Sequence, residues 1–147
     1  MCKIFYIVAA FLFSTTLAGP VAITPCGDNN GITVSVDVDL CSGTTNPCEL
    51  QIGASVTIVV SVNIPAPQSY NLIYAFVTVN GATLFGPYDV CAEAPGLCPA
   101  SGTFSYPITT TVPPFPGTYN ADIELRVAPD RASDLIYCGT ITIRIVS

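Results

Sequence analysis

The sequence contains no histidine among its 147 residues, and this absence bears on two kinds of site. Histidine is the most common general base, and without it no serine here can be activated as a nucleophile in the usual way. Histidine and closely spaced cysteines are also the usual zinc ligands, and the cysteines of this chain lack that short spacing. We therefore expect no enzyme, no metal site and no other cofactor.

Positive charge is scarce as well. Four Lys and Arg residues stand against ten Asp and Glu residues, which gives a formal net charge of −6. Phosphates repel such a chain, so we expect no nucleic acid partner, and anionic membrane surfaces do not attract it electrostatically. Charged residues make up only 10% of the chain and hydrophobic residues 50%. This is more apolar side chain than a minimal core needs, and an internal cavity is one place for the excess.

Residues 1–18 have the pattern of a secretory signal peptide. Lys3 supplies the positive charge, residues 4–13 are an apolar run, and the small residues that end at Ala18 suit a signal peptidase. The run is shorter than the about 20 residues that span a bilayer. We expect one mature domain over residues 19–147 and a secreted, extracellular protein. Without an Asn-x-Ser/Thr sequon to carry a mannose-phosphate tag, the chain is expected in the endolysosomal lumen only after uptake.

The cysteines that follow the signal peptide form an even set, which in a secreted chain predicts a disulfide framework. They are Cys26, Cys41, Cys48, Cys91, Cys98 and Cys138. Six residues separate Cys41 from Cys48, and six separate Cys91 from Cys98. Six cysteines allow many connectivities, but these spacings favour two local pairs. Such pairs would leave Cys26 and Cys138 to join across nearly the whole domain.

Alternation of apolar and polar residues predicts β-strands along the rest of the chain. The predicted strands cover residues 32–40, 56–64, 72–79, 119–127 and 140–146, and residues 103–112 are expected to form two short strands split near Pro107. The inner face of the first is expected to carry Val34, Val36, Val38 and Leu40. The outer face of residues 119–127 is expected to carry Asn120, Asp122, Glu124 and Arg126.

Turn residues separate these strands. Asn80-Gly81 is a strong hairpin signal, and the prolines near residues 65–67 and 113–116 interrupt strand pairing. No helix pattern is present in the mature chain. About seven short strands with turns between them predict an all-β fold, a two-sheet β-sandwich held by disulfides.

Several of these residues occur in the order typical of a known family. Cys26-Gly27 opens the domain, Cys48-Glu49-Leu50 leads to Gly53, and Cys98-Pro99 precedes Phe104 and Tyr106. Phe115-Pro116 then opens a strand, and Ile136-Tyr137-Cys138 leads into the last one. This order resembles the ML lipid-recognition family, which includes the Niemann–Pick type C sterol carrier and the group-two mite allergens. The resemblance covers essentially the whole mature chain.

The resemblance implies an immunoglobulin-like fold whose two sheets part to hold one hydrophobic ligand. It implies the disulfide pairs Cys26–Cys138, Cys41–Cys48 and Cys91–Cys98. It also implies a ligand entrance formed by three residues, with Val112 and Phe115 on one side and Phe85 opposite. The function it implies is secreted binding and transfer of a lipid or sterol.

Further aromatic residues are candidates for the wall of such a cavity: Tyr74, Phe76, Tyr88, Phe104, Tyr106 and Tyr119. The expected partner is a hydrophobic small molecule, that is, a sterol, a fatty acid or a phospholipid. Transient contact with a membrane or a membrane acceptor protein is a further expectation. The alternative hypothesis is a secreted structural or adhesive sandwich whose core these aromatics fill, with no ligand.

Overall fold

The computed structural model describes residues 18–42 and 47–147, which form two β-sheets around one hydrophobic core. The predicted signal peptide lies outside the described residues except for Ala18, which begins the first strand. Within the described residues, no helix is long and apolar enough to cross a membrane.

The described chain forms ten strands and one short helix. They are β1 (Ala18–Val21), β2 (Thr24–Pro25), β3 (Thr33–Ser42), β4 (Cys48–Gln51), β5 (Ser55–Ile64), β6 (Tyr74–Val79), β7 (Ala82–Asp89), α1 (Val90–Glu93), β8 (Gly102–Thr111), β9 (Gly117–Arg126) and β10 (Leu135–Val146). The four-stranded sheet has the order β1-β3-β5-β8. The six-stranded sheet has the order β2-β10-β9-β6-β7, and β4 pairs with β10 in parallel.

The alternation of β-branched residues explains why the two sheets pack face to face. In the four-stranded sheet, Val36 lies beside Val60, which lies beside Tyr106, and all three are buried. The six-stranded sheet offers a matching row, in which Ile141 pairs with Ala121 and Ala121 with Val79. Side chains of a strand alternate between its two faces, so these rows place the apolar residues of both sheets in one core.

The predicted hairpin at Asn80-Gly81 is confirmed between β6 and β7. Asn80 has φ 51° and Gly81 has φ 80°. A two-residue turn with positive φ at both central positions matches the right-handed twist of the flanking strands, and Asn-Gly meets that requirement with little strain.

The three disulfides join the predicted cysteine pairs, which confirms that pairing. Cys41–Cys48 connects the end of β3 to the start of β4, and Cys91–Cys98 closes the loop that leads from β7 to β8. Both therefore lie where the chain crosses from one sheet to the other. Cys26–Cys138 ties the segment after β2 to β10, where the buried Asn29 side chain also bonds both backbone groups of Cys138.

The structure corrects several sequence-based predictions about elements. Ten strands are present instead of about seven. Four were not predicted: β1, β2 and β4, which are too short to show a period, and β7. Residues 102–111 form one continuous strand, since β8 is an edge strand and Pro107 can face away from its one partner. The single-turn helix α1 was not predicted; the Asp89 side chain caps it by accepting a hydrogen bond from the Ala92 amide at 3.0 Å.

The exposure of two side chains differs from the sequence-based prediction. Leu40 is 48% exposed, so it does not continue the inner row of β3. Glu124 was predicted to face solvent on β9, but it is only 6% exposed. The loop of residues 127–134 brings Arg131 to this position, and Arg126 at the end of β9 is the second arginine there.

The buried carboxylate of Glu124 holds that loop to the outer face of the six-stranded sheet. Arg126 Nε donates to its Oε2 at 2.7 Å, and Arg131 Nη2 donates to its Oε1 at 3.0 Å. Arg131 Nη1 also donates to the Gly81 carbonyl at 2.7 Å, which ties the cluster to the β6–β7 hairpin. Burial alone would raise the pKa of Glu124, but the hydrogen bonds from Arg131 and Arg126 outweigh burial and lower it.

We predict that Glu124→Gln lowers the free energy of unfolding by about 3 kcal/mol at neutral pH, because it leaves two arginines without their buried partner. A carboxylate with a lowered pKa stabilises the fold above its unfolded value of 4.5, and that contribution is lost as pH falls through the folded pKa. Wild type should therefore lose stability on acidification, while the variant loses less. Urea denaturation over a pH series measures both effects.

The control for this prediction is Glu49→Gln, which removes the exposed ion pair with Arg144 at 3.1 Å. We expect that change to cost at most about 1 kcal/mol. Equal costs for the two variants, or parallel pH dependences of wild type and Glu124→Gln, would contradict the role given to Glu124.

Candidate ligand-binding cavity

A cavity of about 350 Å³ lies between the inner faces of the two sheets. This volume is within the roughly 300–1,000 Å³ range of small-molecule sites. The four-stranded sheet contributes Val38, Val56, Ile58, Val60, Tyr106, Ile108, Thr110 and Thr111 to the wall. The six-stranded sheet contributes Leu50, Ala75, Phe76, Val77, Val79, Leu84, Phe85, Tyr119, Ala121, Ile123, Ile141, Ile143 and Ile145, and the connection from β8 to β9 adds Val112, Pro113 and Phe115.

The lining is almost entirely apolar, and none of the charged side chains in residues 18–42 and 47–147 belongs to it. Most of its residues belong to the same hydrophobic core, so the cavity interrupts that core. Within the described parts of the chain, no group of His, Cys, Asp or Glu is arranged to hold a metal ion. An apolar space of this kind is suited to bind a hydrophobic ligand.

The cavity reaches the surface between β7 and the connection of residues 112–116. Leu84 and Phe115 both line it, yet they are 56% and 65% exposed. Val112 is held by backbone hydrogen bonds with Ala54 and Gly53, but the following Pro113 and Pro114 have no backbone donor. The connection therefore offers no backbone donor at these two residues, and we call the opening between Leu84 and Phe115 the mouth.

Neutral hydroxyl groups lie near the mouth. Tyr119 Oη is in hydrogen-bond distance of the Phe115 and Pro116 carbonyls, at 3.2 and 3.3 Å, so its proton is already used to hold the connection. Thr110 and Thr111 line the cavity at the end of β8.

A second tyrosine lies deeper in the wall. Tyr106 is 2% exposed and stacks on Tyr88 and Phe104, with ring centroids 6.1 and 6.4 Å away. Its hydroxyl is fully buried and has no hydrogen-bond partner within the described structure. Burial, with a smaller contribution from Tyr88, raises the pKa of Tyr106 far above its ordinary value, so the phenol stays protonated.

The structure places most of the candidate site residues on this wall. Phe85, Val112, Phe115, Phe76 and Tyr106 all line the cavity, as does Tyr119. The remaining candidates, Tyr74, Phe104 and Tyr88, are not among the lining residues. The rings of Phe104 and Tyr88 stack on that of Tyr106, while Tyr74 pairs with Asp89 at the start of β6.

Sequence reasoning missed the larger, aliphatic part of the wall. Ile58, Ile108, Ile141 and their neighbours occupy the same inward positions that the alternation predicts, but alternation does not distinguish filled core from cavity wall. Leu84 was also missed. The one feature of the sequence that could have indicated Leu84 is its position next to Phe85, close to the hairpin.

Comparison with solved structures supports the fold. The structure of a Niemann-Pick type C2 protein from the Japanese carpenter ant is 16% identical, covers 85% of this chain and 99% of its own, and gives a TM-score of 0.59. The C-terminal domain of wzt is 12% identical, covers 86% of this chain and 78% of its own, and gives a TM-score of 0.55. At such identities the likeness shows the fold alone. No curated protein sequence matches this chain.

The family model of the ML domain matches residues 20–145, which is nearly the whole described sandwich. This confirms the resemblance indicated by the order of the cysteines and aromatic residues. The chain belongs to the ML domain family of lipid-binding proteins.

Proposed function

We propose that this protein is secreted, holds one hydrophobic ligand between its two sheets, and transfers that ligand to a membrane or a membrane acceptor protein. The observation that carries the proposal is the apolar cavity of about 350 Å³ that opens at the mouth. Protein interiors are normally filled at crystal-like density, and wall atoms that face a void lack the contacts a filled core would give them. A sterol, a fatty acid or a phospholipid acyl chain would supply those contacts.

The cavity also favours this function over the alternative of a structural sandwich with a filled core. A filled core would bring the side chains of β5 and β8 into contact with those of β9 and β10, but the cavity lies between them. Burial of a ligand here removes apolar area from water at about 25 cal/mol per Å², so binding needs few polar contacts. None of the charged side chains that the structure describes lines the cavity, which supports binding of an uncharged, hydrophobic ligand.

The rim of the mouth supports contact with a membrane or acceptor during transfer. Leu84 and Phe115 expose large apolar side chains on either side of the opening. A ligand that leaves between them could pass directly into another apolar phase without crossing water. Because the chain has a net charge of −6, such contact would rest on apolar area and not on attraction to anionic lipids.

We predict that the protein expressed in a secreting cell is found in the medium with Gly19 as its first residue. Gly19 pairs with Val38 in β1, so cleavage after Ala18 leaves the rest of that strand in place. Intact mass of the secreted protein, before and after reduction, should match residues 19–147 with three disulfides. Retention of residues 1–18, or a protein found only inside the cells, would contradict the proposed signal peptide.

We predict that Phe115→Ala weakens binding of a fluorescent sterol or fatty-acid probe by roughly 5- to 150-fold, equivalent to about 1–3 kcal/mol. The thermal midpoint should change little, because the side chain is mostly exposed. The matched control is Leu72→Ala, which removes an apolar side chain that is 49% exposed but does not line the cavity.

If Phe115→Ala and Leu72→Ala bind the probe equally well, Phe115 does not belong to the entrance. If Phe115→Ala instead unfolds the domain, with unchanged affinity per folded molecule, Phe115 acts as core.

We also predict that Ala121→Leu blocks binding without destabilising the fold. Ala121 is buried on β9 and lines the cavity, so the added carbons enter existing space and compete with the ligand. Affinity should fall by about tenfold or more, which corresponds to roughly 1.4 kcal/mol. The control is Ala100→Leu, at a buried site away from the cavity, where overpacking should cost about 1–3 kcal/mol. Equal losses of stability in both variants, with binding intact in Ala121→Leu, would place the ligand elsewhere.

A further inference from the structure

The hydroxyl of Tyr106 is an unsatisfied polar group on a residue that lines the cavity. It is a fully buried side-chain oxygen without a hydrogen-bond partner in the described structure. Buried polar groups in native proteins nearly always have a partner, because leaving one unpaired costs free energy. Tyrosine at this position therefore carries a cost that phenylalanine, with the same ring, would not.

The neighbours of Tyr106 do not satisfy its hydroxyl. Tyr88, the phenol stacked on it, is in hydrogen-bond distance of the Pro107 carbonyl at 3.4 Å and makes no bond to Tyr106. Phe104 on the other side has no polar atom. The strand partner of Tyr106 is Val60, whose side chain is apolar. The protein thus supplies a neutral donor within the wall and no acceptor for it.

The charges of the chain restrict what that acceptor can be. The sequence has four cationic side chains, and Lys3 among them lies in the predicted signal peptide. Arg126 and Arg131 bind Glu124 on the outer face, and Arg144 binds Glu49. None of these three arginines lines the cavity. A carboxylate or phosphate drawn to the depth of Tyr106 would be buried without a counter-charge, which is strongly unfavourable.

A mature N-terminus does not change this conclusion. Cleavage after Ala18 would create an ammonium group at Gly19 on β1. The strands β1 and β8 are at opposite edges of the four-stranded sheet, so that charge would lie three strands away from Tyr106. At about 4.8 Å per strand this is roughly 14 Å.

We infer that the ligand carries a neutral oxygen, as in an alcohol, a ketone or an ester, which accepts a hydrogen bond from Tyr106 inside the cavity. This inference rests on the proposed function and names the ligand class within it: neutral oxygen-bearing lipids, in preference to pure hydrocarbons and to fatty carboxylates. The wall side chains next to Tyr106 would shift enough to admit the oxygen as the ligand fills the space.

The test compares ligands of equal chain length on wild type and Tyr106→Phe. Dodecanol, dodecane and laurate compete at neutral pH with diphenylhexatriene, a fluorescent hydrocarbon whose own binding needs no hydrogen bond. We expect Tyr106→Phe to bind dodecanol about tenfold more weakly than wild type does, and dodecane equally well. The thermal midpoint of the ligand-free variant should equal or exceed that of wild type.

Tyr119→Phe is the matched control. Its hydroxyl is also in the wall but already bonds to the β8–β9 connection, so the preference for dodecanol over dodecane should persist in that variant. In wild type, laurate should bind more weakly than dodecanol.

The inference is overturned if Tyr106→Phe binds dodecanol as tightly as wild type does, or if the substitution weakens the binding of dodecanol and dodecane by the same factor. It is also overturned if wild type binds laurate as tightly as dodecanol. Failure of the proposed function looks different, since neither diphenylhexatriene nor any competitor would then bind to wild type. If Tyr106→Phe does not fold, the three ligands are compared on wild type alone. Equal affinities for dodecanol, dodecane and laurate, corrected for their different solubilities in water, would overturn the inference.

Discussion

The structure depends on how the chain is fixed where it crosses between its two sheets. Cysteines occupy the crossings from β3 to β4 and from β7 to β8, and each of these is closed by its own disulfide. The crossing from β8 to β9 has no cysteine; it has Pro113, Pro114 and Pro116 instead. Disulfides therefore hold the chain at the first two of these crossings, while the proline-rich crossing at the mouth has none.

This arrangement explains how a domain with so few charges remains folded around an incomplete core. A void deprives the wall residues of contacts, and the fold needs other sources of stability to tolerate it. The Cys26–Cys138 bond, whose ends are 112 positions apart in the sequence, constrains the unfolded chain strongly. The Glu124 cluster adds a second fixed point, because Arg131 joins the β9–β10 loop to the hairpin that carries Leu84 and Phe85. The many apolar residues then have two roles: some form the packed part of the core, and others form the wall of the cavity.

Local sequence patterns predicted the parts of the fold that local chemistry decides. The alternation in residues 56–64 placed Val56, Val60 and Val62 correctly on the inner face, and Asn80-Gly81 gave its hairpin. These patterns gave wrong predictions where the environment of a residue depends on a segment that is distant in the sequence. Alternation put Glu124 on the outer face, but it could not show that residues 127–134 cover that face. Pro107 was taken for a break, since a single sequence does not show that β8 is an edge strand.

The candidate site was predictable only as far as the resemblance reached. The order of cysteines and the Phe115-Pro116 step directed attention to Phe85, Val112 and Phe115, and all three line the cavity. Aromatic content alone was a weaker guide, because Tyr74 and Phe104 do not line it. The unpartnered hydroxyl of Tyr106 had no sequence signal at all, since hydrogen-bond satisfaction is a property of the folded surroundings.

Native mass spectrometry of the secreted wild-type protein, purified without detergent, tests most directly whether the space between the sheets holds a lipid. The account predicts a population heavier than residues 19–147 by one small hydrophobic molecule, released by collisional activation and recoverable by solvent extraction. A single species at the mass of the protein alone, unchanged after incubation with a total lipid extract, would contradict it.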